Sequence, residues 1–378
     1  MKKKKSWDKK WYTDAFLQAL KATARVRMDG DLPITEKYAP DAGSDIAIDP
    51  RLLGGPLGKN AKMMACLPEF LLDRVKMKLN DKSIASFRQS CDRISSAVCV
   101  RGGIDIEDRT VSAADGYAIP IRIYRSENCA AGCGCLLFFH GGAFIGGSIP
   151  PYDEGWKVFV EKFSMVVVSV GYRLMPEAPY PTPHEDCYRV LEWVYGNADL
   201  LQIDKTHIFV TGDSAGGNLA QYCSTRAKGT DMVRGQILLY ATLNMFRMED
   251  KYYKLDGKNF TYEPKQKRVS RCIVKQLEMM VNSLQDIGDA IGITAPDPYC
   301  NPYSFDAAGN PPTFISVGAL DFLKNDCIAW AHKLQDEGVP VKVVVYNGMG
   351  HGYLNAMGVF PQAEDVVDEM GQFIKDHS

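Results

Sequence analysis

Continuous apolar runs that alternate with helical stretches constrain the fold of this chain more than any other feature. From about residue 103 onward, a half-buried strand around residues 119–123 is followed by six such runs, at residues 136–139, 165–170, 208–212, 236–240, 314–318 and 341–346. A strand that is apolar throughout is buried on both faces, which is typical of parallel sheets. Helical patterns lie between the runs, over residues 187–200, 217–228, 327–337 and 363–375. The pattern predicts an α/β fold, a mostly parallel central sheet flanked by helices.

Two stretches interrupt this alternation and are predicted to form a second, helical layer. Residues 1–90 carry helical periodicity but no convincing strand, and residues 243–297 form a polar and aromatic insertion with a helix through Met279 and Met280. A structureless loop of that length is uncommon inside a compact domain. We therefore expect residues 1–90 and 243–297 to leave the sheet and pack together as a discontinuous helical cap, over an α/β core of residues 91–242 and 298–378.

The charge balance and the N-terminus restrict the classes of function. Lys and Arg number 44 against 46 Asp and Glu, a formal net charge of −2, whereas nucleic-acid binding needs a concentrated basic surface. The one basic cluster, MKKKKSWDKK, precedes an amphipathic helical pattern and not the continuous apolar segment of a secretory signal. We expect no nucleic-acid partner, no stable membrane insertion and a cytoplasmic location. A membrane-surface helix, with Trp7 and Trp11 beside the lysines, is the alternative.

The 11 cysteines are odd in number, and most lie in apolar runs, as reduced thiols do when they serve as small apolar side chains. Cys129, Cys133 and Cys135 are close enough in sequence to be metal ligands. No second Cys or His pair stands at zinc spacing, however. We therefore expect no metal site.

Ser214 lies where an apolar run passes directly into a helical stretch. The segment IFVTGDSAGGNLA places it in a G-x-S-x-G pattern, between Gly212 and Gly216. In a nucleophile elbow these glycines let the strand and the helix approach closely, so that the serine hydroxyl stands at the C-terminal edge of the sheet. Ser214 is therefore predicted to be a nucleophile. The alternative is a Gly-rich loop whose serine caps the helix.

A serine hydroxyl needs a base to accept its proton, and the chain has six histidines. His351 follows the 341–346 run in a Gly-flanked loop at the same edge as Ser214, whereas the others lie in less suitable places. Asp321 follows the 314–318 run by three residues and emerges at that edge too, where a buried carboxylate would orient the imidazole. Asp326 is the competitor, but we interpret it as the N-cap of a helix that starts at Cys327.

The order Ser214, Asp321, His351 is the chain order of one class of catalytic triad. Attack on a carbonyl also requires donors for the oxyanion. The segment HGGAFIGGS follows the 136–139 run, and we assign Gly141, Gly142 and Ala143 to an oxyanion hole, with the amides of Gly142 and Ala143 as the main donors and Gly141 close by. The amide of Ala215 completes this oxyanion hole. A phosphate-binding loop is the alternative, but no G-K-[ST] follows the glycines.

The segments HGGAF, YRLMPEAPYPTPHEDC, GDSAGGNLA, GALDFLKND and GHGY together resemble the hormone-sensitive-lipase family of α/β-hydrolases, in its GDSAG branch. The resemblance runs from about residue 100 to the end, apart from the insertion. It implies an α/β-hydrolase fold with a helical cap, carboxylic ester hydrolysis through an acyl-enzyme, and no cofactor. Its motifs carry over onto His140, Gly141, Gly142, Ala143, Asp213, Ser214, Ala215, Asp321 and His351, with His140 and Asp213 as supporting residues.

These observations predict a serine carboxylesterase for small or short-chain acyl esters. One alternative is an esterase for acetylated or cinnamoylated carbohydrates, suggested by the aromatic insertion residues Tyr252, Tyr253, Phe260 and Tyr262. Another is a non-catalytic small-molecule receptor. The plant gibberellin receptors resemble the same family but lack the triad histidine, a position that His351 fills here.

The 341–346 run is predicted to be the last strand of the sheet. An exposed edge of this kind can pair with a second copy of the chain, so we expect a homodimer through that strand.

Overall fold

The computed structural model of the protein describes residues 12–68, 80–254, 259–286, 297 and 299–378. The strands in these ranges are β1 (Arg25–Asp29), β2 (Leu32–Lys37), β3 (Ile104–Ser112), β4 (Ala118–Ser126), β5 (Cys133–Phe139), β6 (Val166–Val170), β7 (Ile203–Asp213), β8 (Gly235–Leu239), β9 (Thr313–Gly318) and β10 (Val341–Tyr346).

The helices in the same ranges are α1 (Asp14–Ala22), α2 (Pro50–Gly54), α3 (Pro56–Met64), α4 (Asp81–Cys91), α5 (Asp153–Phe163), α6 (Thr182–Gly196), α7 (Ala215–Arg226), α8 (Lys267–Asp286), α9 (Lys324–Asp336) and α10 (Pro361–Asp376).

All described strands join one sheet, in the order β1, β2, β10, β9, β8, β7, β5, β6, β4, β3. The seven strands from β2 to β6 in this order run parallel to their neighbours, and β1, β4 and β3 are antiparallel. Every residue of β6, β8 and β9 is buried, as expected for continuous apolar strands covered on both faces. The predicted α/β class with a mostly parallel sheet is confirmed.

The N-terminal region departs from the prediction, because residues 25–37 belong to the sheet and not to a helical layer. Strands β1 and β2 form a hairpin whose register pairs Asp29 with Leu32. Strand β2 then pairs in parallel with β10, Ile34 lying opposite Val343. The first four residues of β1 are exposed, so this edge strand has no apolar run that would distinguish it in the sequence.

The hairpin also changes the place of β10, which lies between β2 and β9. The prediction that residues 341–346 form the last strand is therefore wrong. Both edges of β10 are already paired within the chain, so this strand cannot join a second copy. The structure therefore gives no support to the homodimer that was expected to form through β10.

One helix from each of the two interrupting stretches contacts the other. Helix α3 contacts α8, and Gln276 on α8 donates through Nε2 to the carbonyl oxygen of Leu57 at 3.3 Å. Apart from the hairpin of residues 25–37, the division into cap and core stays a prediction. None of the helices in the described ranges combines the length and the apolar composition needed to cross a membrane.

Candidate active site

Ser214 occupies the sharp turn between β7 and α7. Strand β7 ends at Asp213, α7 begins at Ala215, and Ser214 between them has φ 56° and ψ −119°. This left-handed backbone is unfavourable for a residue with a Cβ, on the order of 1–3 kcal/mol, and persists only where its surroundings hold it. The Ser214 amide donates to the Leu239 carbonyl at 2.9 Å, and the Thr242 amide donates to the Ser214 carbonyl at 3.1 Å.

The glycines around Ser214 are required by close backbone contacts. A Cβ on Gly212 would lie 2.0 Å from the carbonyl oxygen of Gly216, and a Cβ on Gly216 would lie 1.9 Å from that of Phe139. Neither position can accept a side chain without displacing backbone. The strand-turn-helix geometry predicted from the G-x-S-x-G pattern is present in the structure.

His351 lies between the two other predicted triad residues. Its Nε2 is 2.9 Å from Ser214 Oγ, and its Nδ1 is 2.7 Å from Asp321 Oδ2. With the ring proton on Nδ1, the imidazole donates to Asp321 and Nε2 accepts the Ser214 hydroxyl. The ring of Tyr240 contacts the imidazole edge-on, with 4.9 Å between centroids.

Asp321 is fully buried, and its Oδ1 accepts the amide of Leu323 at 2.9 Å. Burial alone would lower the pKa of His351, but the charge of Asp321 and its hydrogen bond outweigh this and raise the pKa above the ordinary value. The carboxylate therefore orients the ring and favours its protonated form.

Asp326 has a different role from the one predicted. Helix α9 starts at Lys324, so Asp326 lies within the first turn and is not an N-cap at Cys327. Its Oδ2 accepts the amides of Leu243 and Asn244, at 3.0 and 2.9 Å. Burial raises its pKa to about 6, although these two amides oppose the rise. Asp326 holds the chain after β8 and does not contact His351.

The loop after β5 presents backbone amides beside Ser214. Gly142 and Ala143 have φ values of 126° and 54°, and within the described ranges no protein acceptor is recorded for their amides. Ala215 is the first residue of α7, where a helix amide has no intrahelical acceptor. Gly142, Ala143 and Ser214 line one pocket, and Ala215 follows Ser214 directly in the chain. The assignment of the three amides as oxyanion donors stays a prediction.

Gly141 differs from the other residues of this loop. Its amide donates to Asp213 Oδ1 at 2.7 Å, so it is occupied and is not a donor toward the pocket, contrary to the prediction. Tyr152 donates through its hydroxyl to Asp213 Oδ2 at 3.1 Å. Burial raises the pKa of Asp213 to about 6, against the effect of these hydrogen bonds.

His140 lies at the end of β5, and its buried ring contacts Tyr172 and not the predicted triad residues. Its ring is stacked on Tyr172 with 4.3 Å between centroids, and the Tyr172 hydroxyl donates to the His140 carbonyl at 2.7 Å. Burial lowers the pKa of His140 to about 4. These contacts fix the end of β5 against its neighbours, and the supporting roles of His140 and Asp213 stay predictions.

Two pockets meet at Ser214. One has a volume of about 340 Å³ and is lined by His351 together with residues of α3, α4, α8 and the loop of residues 140–147 after β5, here called the donor loop. Among them are Leu57, Phe87, Gly142, Ile273, Gln276 and Asn355. The other is narrow, about 10 Å³, and is lined by Ala143, Phe144, Thr242, Met245, Leu277, Met280, Val281 and Leu323. Ala143, Ser214, Leu277 and Met280 line both pockets, so these four residues lie where the two pockets adjoin.

Several of these lining residues could not be assigned from the sequence. The helical pattern through Met280 was visible, but no local signal shows that α8 covers the serine. The insertion aromatics behave differently, because Tyr252, Tyr253, Phe260 and Tyr262 line neither pocket at Ser214. Tyr252 instead borders a separate, charged cavity of about 550 Å³ on the other side of Leu320.

Across the part of the chain that the structure describes, no group of three or more His, Cys, Asp or Glu side chains could hold a metal ion.

Comparison with known proteins identifies a matching family model and similar esterases. A family model described as alpha/beta hydrolase fold matches residues 136–355. The chain is 31% identical over 262 residues to the carboxylesterase NlhH of Mycobacterium tuberculosis, covering 69% of this chain and 79% of that protein. It is 30% identical over 306 residues to the esterase LipI of the same organism, covering 79% and 90% respectively.

A solved structure is also similar. The hyperthermophilic esterase from the archaeon Pyrobaculum calidifontis superposes with a TM-score of 0.67 at 26% identity, over 87% of this chain and 98% of that one.

Proposed function

The chain belongs to the alpha/beta hydrolase family and, within it, to the hormone-sensitive-lipase group of carboxylic ester hydrolases, and we propose that it hydrolyses short-chain acyl esters through Ser214, His351 and Asp321. One observation carries this proposal: His351 lies within hydrogen-bond distance of both Ser214 and Asp321, on opposite ring nitrogens. This is the arrangement in which imidazole can accept a proton from the nucleophile.

In the first half of the reaction, the Ser214 Oγ attacks the ester carbonyl carbon and its proton moves to Nε2 of His351. The carbonyl oxygen becomes an oxyanion, and the amides of Gly142, Ala143 and Ala215 are positioned to donate to it. Collapse of this intermediate breaks the bond to the alkoxy oxygen. That oxygen takes the proton from Nε2 and leaves as the alcohol, with the acyl group on Ser214.

In the second half, His351 accepts a proton from water, whose oxygen attacks the acyl carbon. The same three amides stabilise the second oxyanion. The bond to Ser214 Oγ breaks, the proton returns from Nε2 to the serine, and the carboxylic acid is released. Asp321 keeps the imidazole oriented throughout and stabilises its protonated form.

The two pockets support a division of the substrate between them. The narrow pocket of about 10 Å³ has the volume of about one water-sized group, which suits the methyl of an acetyl ester. The pocket of about 340 Å³ is large enough for a small organic alcohol, and its walls are mostly apolar. We therefore assign the acyl group to the narrow pocket and the alcohol to the larger one.

The carbohydrate-ester alternative is not favoured by these contacts. It was suggested by aromatic residues of the insertion, and those residues do not line the pockets at Ser214.

The proposal is tested with Ser214→Ala on p-nitrophenyl acetate, with Ser224→Ala as the matched control. Ser224 is a buried serine of α7, the helix that follows Ser214, and within the described ranges its hydroxyl has no hydrogen-bond partner. We expect Ser214→Ala to lose at least 10³-fold in kcat and Ser224→Ala to stay near the wild type.

Labelling gives a second, independent readout. An organophosphate should label wild-type protein at Ser214 and leave Ser214→Ala unlabelled. Full hydrolytic activity in Ser214→Ala would overturn the proposal. Saturable binding of a small molecule without labelling or turnover in the wild type would indicate a receptor instead.

A further inference from the structure

The donor loop after β5 has a backbone conformation that needs external support. Gly142, Ala143 and Phe144 have three consecutive positive φ values, 126°, 54° and 62°. The left-handed region is unfavourable for the two residues that carry a Cβ, and such residues persist only where neighbouring groups over-determine their positions. The contacts that restrain this loop therefore decide where its amides point.

Arg88, on helix α4, contacts the loop from the predicted cap. Its Nε donates to the carbonyl oxygen of Ile145 at 2.6 Å, and its Nη2 donates to that of Met175 at 2.9 Å. Glu177 accepts from Nη1 and Nη2 at 2.8 and 2.6 Å. A planar guanidinium has five donors in a rigid fork, so one side chain fixes all three acceptors at once.

The two carbonyl groups that Arg88 holds belong to residues bonded back to the donor loop. The Ile145 amide donates to the Gly142 carbonyl at 3.0 Å, and the Met175 amide donates to the Phe144 carbonyl at 2.9 Å. Arg88 thus closes a hydrogen-bonded network that includes both ends of the strained segment. A lysine could not reproduce this arrangement, because its ammonium group lacks the planar fork.

We propose that Arg88 is a positioning residue for the oxyanion donors, holding the amides of Gly142 and Ala143 in place from the cap side. This inference rests on the proposed function, because it assigns support to the donors of that mechanism. Arg88 does not line either pocket at Ser214, so it acts through the loop and not on the substrate.

This role predicts an effect on kcat rather than on KM. Oxyanion donors bind the transition state more strongly than the ground state, so their displacement raises the barrier while substrate binding is little changed. A misplacement of about 1 Å can cost about 100-fold in rate. We expect Arg88→Met to lower kcat about 10- to 100-fold with KM within about twofold of the wild type, and Arg88→Lys to recover only part of the loss.

Arg122 on β4 provides a matched control. Its Nε and Nη2 donate to Asp108 at 2.6 and 2.9 Å, a fork comparable to that of Arg88 with Glu177, and it contacts neither the donor loop nor Ser214. Its Nη1 also donates to Asp153, at 3.2 and 3.0 Å. Arg122→Met removes both ion pairs and should leave kcat near the wild-type value. Circular dichroism and the melting temperature show whether each variant is folded. If Arg88→Met does not fold, the comparison is made with Arg88→Lys instead.

A trifluoromethyl ketone separates positioning from general stabilisation. Ser214 adds to its carbonyl carbon, the serine proton moves to His351, and the resulting oxyanion occupies the proposed hole. In Arg88→Met its inhibition constant should rise by the same factor as kcat/KM falls, while binding of the alcohol product changes little.

Ser214→Ala is measured first, because hydrolytic activity in this variant would overturn the proposed function itself. If Ser214→Ala is inactive and Arg88→Met retains wild-type kcat, the inference fails while the proposed function stands. The positioning role would also be overturned if Arg122→Met lost as much kcat as Arg88→Met. An unchanged inhibition constant of the trifluoromethyl ketone in folded Arg88→Met or Arg88→Lys would overturn it as well.

Discussion

The backbone amide of Gly141 donates to the carboxylate of Asp213 across 2.7 Å, which ties the donor loop to the residue immediately before the nucleophile. The end of β5 and the end of β7 are thereby joined at the sheet edge where Ser214 lies. This contact explains why an aspartate precedes the serine, and why the first glycine of the loop is unavailable to the substrate.

The Gly141 contact predicts different results for two substitutions of Asp213. Asp213→Ala removes the shorter of the two acceptors of the Gly141 amide and leaves only the Tyr152 hydroxyl at 3.3 Å. Loss of a buried hydrogen-bond partner typically costs about 1–3 kcal/mol, and it loosens the loop. We expect kcat to fall about 10- to 100-fold. Asp213→Asn keeps an acceptor for Gly141 and should stay within about tenfold of the wild type. Steady-state kinetics and thermal melts check this; equal losses in the two variants would contradict it.

The contact between His351 and Asp321 predicts the pH dependence. Activity requires neutral His351, so kcat/KM rises with pH as the imidazole loses its proton. Burial lowers the pKa of His351 but Asp321 raises it further, so the acid limb of the wild type should lie above the ordinary histidine range.

Asp321→Asn removes the raising charge and leaves the burial. The acid limb should therefore move to lower pH, while kcat falls by up to about 10⁴-fold because the tautomer is no longer held. The pH profile of kcat/KM for both proteins tests this. An acid limb that stays in place or moves to higher pH in Asp321→Asn would show that Asp321 does not control this titration.

Residues at strand ends were the most predictable part of the site. Ser214, Asp321 and His351 each follow a continuous apolar run, and the ends of parallel strands meet at one edge of a sheet, so their proximity followed from the order of the elements. The hydrogen-bond acceptor of the Gly141 amide was not predictable, because it depends on where the Asp213 side chain points. The support from Arg88 joins positions 57 residues apart and has no local signal.

The N-terminal hairpin was missed for another reason. The first four residues of β1 are exposed, so this strand lacks the continuous apolar run by which buried strands are recognised in a sequence. A signal was available in the two-residue loop Gly30–Asp31, between Asp29 and its partner Leu32, because Gly-Asp between two short alternating segments is a hairpin signature.

The two pockets at Ser214 predict a change in acyl-chain preference. Met245 lines only the narrow pocket, and Ile273 lines only the larger one. Met245→Ala should open space for longer acyl groups, at roughly 0.8 kcal/mol or about fourfold per added CH₂ that becomes buried. Its optimum on p-nitrophenyl esters should therefore move from acetate toward butyrate or longer.

Ile273→Ala is the control for that experiment, since it enlarges the alcohol side and should leave the acyl optimum where it is. A shifted optimum in Ile273→Ala and an unshifted one in Met245→Ala would reverse the assignment of the two pockets.

The hairpin is anchored by a buried ion network, which predicts its contribution to stability. Lys37, at the end of β2, donates to Asp365 at 2.7 Å and to Glu369 at 2.6 Å on α10, and Tyr346 of β10 donates to Asp365 at 2.6 Å. The Lys37 side chain is only 3% exposed and that of Asp365 is fully buried. Removing one partner of a buried pair leaves an uncompensated charge, at a cost of about 3–5 kcal/mol.

Lys37→Met should therefore lower the free energy of unfolding at pH 7 by about 3–5 kcal/mol, measured by urea denaturation. The matched control is Arg25→Met on the same hairpin. Arg25 pairs with Asp45 while 69% and 49% of the two side chains are exposed, and such pairs contribute about 0–1 kcal/mol. Because Lys37 lines neither pocket at Ser214, folded Lys37→Met should keep its kcat. Equal destabilisation by the two substitutions would mean that the hairpin is not held by this network.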